Sequence, residues 1–485
     1  MKKLADILEG VTILKEQGTN AAAVENIRFD SRKVGSNDVF VAIKGTAIDG
    51  HQYIPEVAKR GVNAFVCQEW PSSLENEPTT AIVQVDDTRY ALAVMAANYY
   101  NHPSDKMTLV GVTGTNGKTT TVTLLFNLFR ELGYNCGMLS TVENRINEET
   151  LPATHTTGDP LQINALLAEM VRKKVTHCFA EVSSHAIDQK RIGGLNFDGA
   201  VFTNLSQDHL DYHKNFRAYL YAKKAFFDQL PSKAWALVNR DDKNGRVMLQ
   251  NTKASTHSYA LKTKADFKGK ITEHHIGGLN MEIDRTQIWF GLAGTFNAYN
   301  LLATYAAAML LGENKEETMA AMSRLKGAEG RFDATISPGG VTGIVDYAHT
   351  PDALKNVLET INQSRSFNES LITVIGAGGD RDKTKRPAMG RIAAALSDKV
   401  VITSDNPRNE EPQAIIDDII SGIGKENEKK IITIPAREEA IKTACMMAHE
   451  RDIILVAGKG HEKYQEVKGV RHHFDDKEIL SKYLK

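Results

Sequence analysis

The chain has 485 residues, which at roughly 150 residues per domain predicts about three domains. Its 59 Lys+Arg against 60 Asp+Glu leave a net charge of −1, so bulk charge holds it neither to nucleic acid nor to an anionic membrane. With 42% hydrophobic residues, 36 Gly, 13 Pro and four scattered cysteines that form no CxxC pair, it is neither fibrous nor disordered, and no disulfide framework or zinc site is expected.

In chain order, the opening MKKLADILEG lacks an apolar stretch of signal-peptide length, and no 18-residue apolar run follows anywhere, so a cytoplasmic chain without membrane insertion is expected. The short apolar runs VFVAIKG, NAFVCQE and AIVQVDD precede a helical pattern around Ala91 to Tyr100 and the turn-prone NHPSD, which places a first boundary near residue 105. Strand-like and helix-like segments then alternate: MTLVGVTG, a helix to Leu132 stopped by Gly133, CGMLST, a helix near 160–173, HCFAEVSS and GAVFTNLS. That rhythm predicts a parallel sheet flanked by helices. Short strands are expected over 245–290, then the Ala-rich buried helix GTFNAYNLLATYAAAMLLG, and a second boundary after Gly330-Arg331-Phe332-Asp333 at the SPGG turn. Beyond it VTGIVDYA, SLITVIGAGG, DKVVITSDN, KIITIPA and DIILVAGKG are five β-branched runs separated by helical patterns, a second doubly wound sheet. The expected domains are 1–105, 106–334 and 335–485.

GVTGTNGKTTT, at 111–121, follows a strand-like run and opens a helix, the context that a phosphate-cradling loop requires. Its glycines let backbone N–H groups turn toward phosphates, Lys118 supplies a point charge, and the Thr119 hydroxyl suits Mg²⁺. The strict GxxxxGK[ST] spacing is not met, because Val112 stands where its first glycine belongs.

TGTNGKTT resembles the ATP loop of the Mur ligases and their relatives the folylpolyglutamate synthetases. EVSSHAIDQKR, FTNLSQDHLDYH, YLYAKKAFF, GTFNAYN, GRFD, DYAHTPDAL, GAGGDRDKTKRPAMG, DNPR and GKGHEKYQ follow in that family's order, and DSR at 30–32 and DGH at 49–51 extend the likeness to the N-terminal part. The resemblance implies an α/β protein of three-domain Mur ligase architecture, with a central P-loop ATPase-like doubly wound sheet and a Rossmann-like C-terminal domain. It implies an ATP-dependent, Mg²⁺-requiring ligase that adds the third amino acid to UDP-MurNAc-L-Ala-D-Glu through an acyl phosphate, as a monomer. A lysine-adding member or another ligase of the superfamily is the alternative.

Residue by residue, the resemblance implies that Gly114, Thr115, Asn116, Gly117, Lys118, Thr119, Thr120, Asn297, Arg331 and Asp346 bind ATP. Catalytic roles fall to Lys118, Glu181, His209 and Lys223; Thr119, Glu181, His209 and Lys223 serve Mg²⁺, Lys223 as its N6-carboxy (carbamylated) form. On residue pattern alone Lys223 and Lys224 would read as a solvated helix face. Ser31, His155, Thr156, Thr157, Ser183, Gln189 and Arg191 are implied to hold the UDP-MurNAc-dipeptide, although His155 stands where asparagine is usual. His185 and His213 receive no role. The acceptor pocket is implied to comprise Arg381, Asp405, Asn406, Pro407, Arg408, Gly458 and Glu462. DNPR marks members that add meso-diaminopimelate, and the chemistry agrees, because a guanidinium binds the distal carboxylate that lysine lacks.

Overall fold

A computed structural model describes residues 1–18, 22–45, 48–62, 64–74, 80–153, 156–365 and 368–484. The chain divides into two compact units, residues 1–111, 134–199 and 229–234, and residues 112–133, 200–228 and 235–485.

In the first unit the expected apolar runs become strands Val39–Val41, Ala64–Cys67 and Ala81–Val85, paired in parallel. Ile27–Arg28 extends one edge in parallel and Ile13–Gln17 the other antiparallel. Alternation along the strands divides the core: Val39, Val41, Val66 and Val83 pack with Leu92 and Met95 of helix Thr88–Tyr99, while Phe40, Phe65 and Ile82 pack with Ile54 and Val57 of helix Ile54–Lys59. The Asp87 carboxylate accepts the N–H groups of Arg89 and Tyr90 and so starts helix Thr88–Tyr99. Helix Pro160–Arg172, begun by a capping box of Asp159 and Gln162, packs against it. Strand Cys136–Leu139 runs parallel to His177–Glu181, as the alternation predicted, and an antiparallel hairpin, Glu143–Ile146 with Glu149–Pro152, is added at its edge.

In the second unit the helix after the glycine-rich loop spans Lys118–Glu131 and buries Val122, Leu125, Leu128 and Phe129; Gly133, at φ 93°, ends it where a side chain would be strained. Strands Trp235–Asn239, Ser255–Ala260 and Phe267–His275 are parallel, and Gly278–Ile283 and Thr286–Phe290 continue antiparallel. Helix Thr295–Leu310 packs on these strands and on helix Lys118–Glu131, which explains why its alanines are buried nearly all round.

All five β-branched runs of the C-terminal part enter one sheet, in the order Thr342–Asp346, Ile453–Ala457, Leu371–Ile375, Lys399–Ile402, Ile431–Thr433, every pair parallel. Ile453 and Leu455 face the helices Pro351–Ser364, Lys385–Leu396 and Pro412–Ile420, whereas Ile454 and Val456 face Arg437–Met447 and Asp476–Tyr483. Strand Asp333–Ile336 joins this sheet antiparallel across the SPGG turn. A separate hairpin, Tyr464–Val467 with Val470–His473, follows the GKGHE loop.

Candidate active site

The glycine-rich loop links strand Thr108–Thr113 to helix Lys118–Glu131. Two glycines are demanded by their surroundings: a Cβ on Gly114 would lie 1.9 Å from Thr203 Oγ1, and one on Gly117, at φ 86°, 2.5 Å from Asn300 Oδ1. Loop GTNG is pinned from the segment 203–206. Thr115 N–H donates to the Asn204 carbonyl at 2.9 Å, Asn116 N–H to Asn204 Oδ1 at 2.9 Å, and Thr203 Oγ1 donates to the Asn116 carbonyl at 2.6 Å. Lys118 Nζ curls back to the carbonyls of Gly114 (3.0 Å) and Thr115 (2.9 Å).

Helix Phe216–Asp228 brings its lysines to different ends. Lys223 is buried and donates to the Gly114 carbonyl at 2.8 Å, with its Nζ 4.8 Å from the Tyr219 ring, whereas Lys224 pairs with Asp228 at 2.6 Å. Burial, with Lys118 beside it, holds the Lys223 amine well below the ordinary lysine range despite Asp208. The solvated-face reading is thereby corrected for both lysines, because each side chain is nearly fully enclosed. Tyr219 shares a 3.1 Å hydrogen bond with Thr115 Oγ1. His209, at φ 53° before the short helix Leu210–His213, keeps a 42% exposed side chain 3.4 Å from Asp208. Burial pushes the Asp208 carboxyl up, but His209, His349 and Lys385 outweigh it and hold the group below its ordinary value. His349 is pushed down to about 4 by burial and by Lys385.

A cavity of about 910 Å³ adjoins the loop, lined by Asn116, Gly117, Thr120, Asn300, Arg331 and Asp346 among others. Arg331 Nη2 reaches Thr119 Oγ1 at 3.3 Å, and its guanidinium lies 4.4 Å from the centre of the Tyr347 ring. Two buried polar atoms of cavity-lining residues, Arg331 Nε and Ser206 Oγ, have no hydrogen-bond partner. Such orphaned donors beside a glycine-rich helix N-terminus suit a polyanion. Asp346 Oδ2 accepts the Phe332 N–H at 2.7 Å, and burial raises its carboxyl to about 6 against the pull of Arg331. Asn297 turns its amide to the Ala293 carbonyl at 2.8 Å and to Asn300, and it is Asn300 that reaches the loop, with Oδ1 3.4 Å from Thr121 Oγ1. Asn300, Asp208, His349 and Lys385 were not singled out in the sequence, although each falls inside or beside a motif string.

The first unit holds Glu181 and most of the residues expected to hold the UDP-MurNAc-dipeptide. Glu181 ends strand His177–Glu181 with its side chain buried; Oε1 accepts Thr141 N–H at 2.8 Å and Oε2 accepts the Thr141 hydroxyl at 3.1 Å. Thr157 Oγ1 donates to the Glu181 carbonyl at 2.8 Å and accepts from Ser183 N–H at 3.1 Å, while the Ser183 hydroxyl caps helix Ser184–Asp188. Arg191 grips the Thr157 carbonyl at 2.9 Å and the Gln189 amide oxygen at 2.6 Å. Gln189 and Arg191 share a cavity of about 710 Å³ with Phe29, Ser31, Arg32 and Arg89. Thr156 and Thr157 instead line a small, largely apolar cavity of about 40 Å³ that also touches Glu181. His155 lies outside the described residues.

The acceptor-pocket residues converge in the second unit. The side chains of Arg408 and Arg381 flank Gly378, at 3.0 and 3.7 Å from where its Cβ would be. Arg408, at φ 50°, donates from Nη1 to the Gly379 carbonyl at 2.7 Å, and its backbone is clamped by the hairpin through Glu466 O at 3.0 Å and Lys468 N at 2.7 Å. Pro407 packs its carbonyl against Gly379, and Gly458, at φ 120°, leaves no room for a Cβ beside Asp405 Oδ2. Glu462 receives Asn406 Nδ2 at 2.7 Å on one oxygen and Tyr347 OH at 3.2 Å on the other. Buried Lys459 lies 3.8 Å from Asp405, 3.5 Å from Glu462 and 3.1 Å from Asn406 Oδ1, a counter-charge that no motif argument had placed.

Among the described residues, no three His, Cys, Asp or Glu side chains converge as a metal cluster, and no helix is long and apolar enough to cross a membrane. Residues 112–308 match the Mur ligase middle domain, 330–460 the Mur ligase glutamate ligase domain, and 23–100 the catalytic domain of the Mur ligase family. The chain is 54% identical over 482 residues, 99% of each chain, to a Cytophaga hutchinsonii protein named UDP-N-acetylmuramoyl-L-alanyl-D-glutamate--2,6-diaminopimelate ligase. A Phocaeicola vulgatus protein of the same name is 52% identical, covering 99% of this chain and 98% of its own. A solved structure titled as that ligase superposes with a TM-score of 0.70 at 30% identity, over 100% of this chain and 99% of its own. Loop, pocket residues and full-length similarity agree, and the chain belongs to the Mur ligase family.

Proposed function

We propose that this chain joins meso-2,6-diaminopimelate to the D-Glu side-chain carboxylate of UDP-MurNAc-L-Ala-D-Glu, using ATP, in the cytoplasmic synthesis of peptidoglycan precursors. The observation that carries this reading is that the unit bearing the phosphate loop also brings the side chains of two arginines, Arg381 and Arg408, to Gly378 and holds a half-buried carboxylate, Glu462, on the Asn406 amide of the DNPR segment. Diaminopimelate has a distal carboxylate for the first and a distal ammonium for the second. The names of the full-length relatives support the same reading.

A carboxylate cannot expel oxide, so its oxygen first attacks the γ-phosphorus and ADP leaves. The diaminopimelate amine then attacks the acyl carbon, and phosphate departs with the former carboxylate oxygen. Lys118 and the loop N–H groups offset the repulsion between triphosphate and carboxylate, and Arg331 offers its unpartnered Nε to the phosphates. Asp346 holds the ribose. Ser31, Gln189 and Arg191 hold the UDP end, and Thr156, Thr157 and Ser183 the muramoyl-peptide. In the second unit Thr119 and a carbamylated Lys223 would offer Mg²⁺ hard oxygen donors and His209 a nitrogen donor, and in the first unit Glu181 would offer a carboxylate; Mg²⁺ would supply positive charge to the phosphates. Domains at 1–105, 106–334 and 335–485 are supported by the family matches at 23–100, 112–308 and 330–460. The protein works as a monomer.

The mechanism is tested by labelling the D-Glu side-chain carboxylate with ¹⁸O and measuring the phosphate released. One labelled oxygen per phosphate is expected; unlabelled phosphate would contradict the acyl-phosphate route.

Asp346 gives a pH prediction. Its carboxyl, raised to about 6, is ionised at pH 7.5 and accepts from the ribose; as pH falls through 6 it protonates, and the KM for ATP should rise. Asp346→Asn should hold that KM about 10-fold high and flat with pH, the loss of a hydrogen bond to a charged acceptor. Stability moves the other way. A carboxyl raised on folding contributes stability that is present below its unfolded pKa, near 4, and lost as pH rises through 6, so Asp346→Asn should raise Tm more at pH 8 than at pH 5. Thermal melts at the two pH values and a KM profile check both halves.

A further inference from the structure

We propose that Tyr347 is a positioning residue that ties the nucleotide side of the second unit to the diaminopimelate pocket, its ring supporting Arg331 and its hydroxyl orienting Glu462. The inference rests on the ligase reading and adds to it a residue outside the motif assignments. Tyr347 follows Asp346 directly at the end of strand Thr342–Asp346. Its ring lies against the Arg331 guanidinium at 4.4 Å, with the His461 ring 4.9 Å away and the His349 ring 4.7 Å away. Arg331 reaches from that ring to Thr119 of the phosphate loop at 3.3 Å. At the other end Tyr347 OH donates to Glu462 Oε1 at 3.2 Å, while Asn406 of the DNPR segment donates to Oε2 at 2.7 Å. Donors on both oxygens fix the plane of a carboxylate that must meet an ammonium, and one of the two directly follows the strand that carries the proposed ribose acceptor.

The close fit supports a positional role. Gly460, at φ 53°, sits so near that a Cβ there would lie 2.7 Å from Tyr347 Cβ. A tyrosine that served only as packing would need neither a guanidinium on its ring nor a carboxylate at its hydroxyl. Ring and hydroxyl therefore make separable contributions, and the two side-chain parts can be removed in turn.

Y347F removes the hydroxyl and keeps the ring. Expected is a rise in the KM for diaminopimelate of about 10-fold, the value of a hydrogen bond to a charged acceptor, with the KM for ATP within about 2-fold. Y347L removes both, and should add a rise of about 3- to 10-fold in the KM for ATP, the range of a cation–π contact. In a double-mutant cycle, Y347F placed on E462A should add no more than about 2-fold to the diaminopimelate KM, because its partner is already gone. A Y347F enzyme with unchanged diaminopimelate KM, or with both KM values raised together, overturns the role, as does full additivity with E462A. Wild-type protein that forms no ADP with any amine would overturn the ligase reading and this role with it, whereas normal wild-type turnover with an unaffected Y347F overturns the role alone.

Discussion

Lys223→Ala is expected to lose about 100- to 1,000-fold in turnover, the scale of removing one group that stabilises transition-state charge. Lys118 and Lys223 both donate to the carbonyl of Gly114, at 3.0 and 2.8 Å, and Lys223 is fully buried. Two ammonium groups on one carbonyl repel, and burial adds to the cost, so the Lys223 amine is pulled well below the ordinary lysine range and loses its proton more readily. A neutral lysine attacks CO₂: an N–C bond forms, an electron pair moves onto oxygen, and a proton leaves the nitrogen for solvent. A carbamate there would be an anion next to Lys118, so repulsion would become attraction, and it would bring an oxygen donor where an amine had none. Protein equilibrated with ¹³C-bicarbonate should show a carbamate ¹³C signal that is absent from Lys223→Ala, and bicarbonate should not restore the variant. Near-normal turnover in Lys223→Ala would remove the residue from the site.

Arg408→Ala is expected to raise the KM for diaminopimelate about 100-fold while the KM for ATP stays within about 3-fold, because the proposed charge pair with the distal carboxylate would be lost from one substrate only. The backbone of Arg408 has little freedom, which suits it to the proposed role. It sits at φ 50°, in a left-handed conformation held by the hairpin at Glu466 and Lys468. Nη1 is engaged by Gly379, and Glu466 stands 3.9 Å from Nε, so the guanidinium is aimed before any ligand arrives. Arg408→Lys should recover only part of the loss, since an ammonium cannot make two parallel hydrogen bonds to a carboxylate. Steady-state kinetics with each substrate varied in turn checks both variants, and an unchanged diaminopimelate KM in Arg408→Ala would remove the residue from the pocket.

The C-terminal sheet was legible because both its faces are covered: DIILVAGKG and its companions read as continuous apolar runs, and all five became parallel strands. The strand Asp333–Ile336 and the hairpin Tyr464–Val467 with Val470–His473 were not legible, being exposed or half-exposed strands whose residues show no continuous apolar run. The placement of the glycine-rich loop between a strand and a helix was legible because glycine, lysine and hydroxyls are adjacent in sequence after an apolar run. Asn300 was not, because helical spacing alone does not say which of Asn297 and Asn300 turns toward the loop, and the structure turns Asn300 there. Lys459 and the Tyr347 hydroxyl were hidden for a related reason: each acts across more than 50 residues of sequence, on Asn406 and on Glu462. The choice between Lys223 and Lys224 came from motif resemblance, and the physical difference, a loop carbonyl against a helix aspartate, emerges only from the fold.

The ligase reading stands or falls on ADP release by the purified protein with Mg-ATP and UDP-MurNAc-L-Ala-D-Glu, adding meso-diaminopimelate, L-lysine or neither, with the nucleotide product identified by mass. Turnover with diaminopimelate alone, and a product heavier by one diaminopimelate less one water, is the predicted result. Turnover with lysine alone would contradict the Arg408 assignment, and ADP release that ignores the amine would contradict the ligase itself.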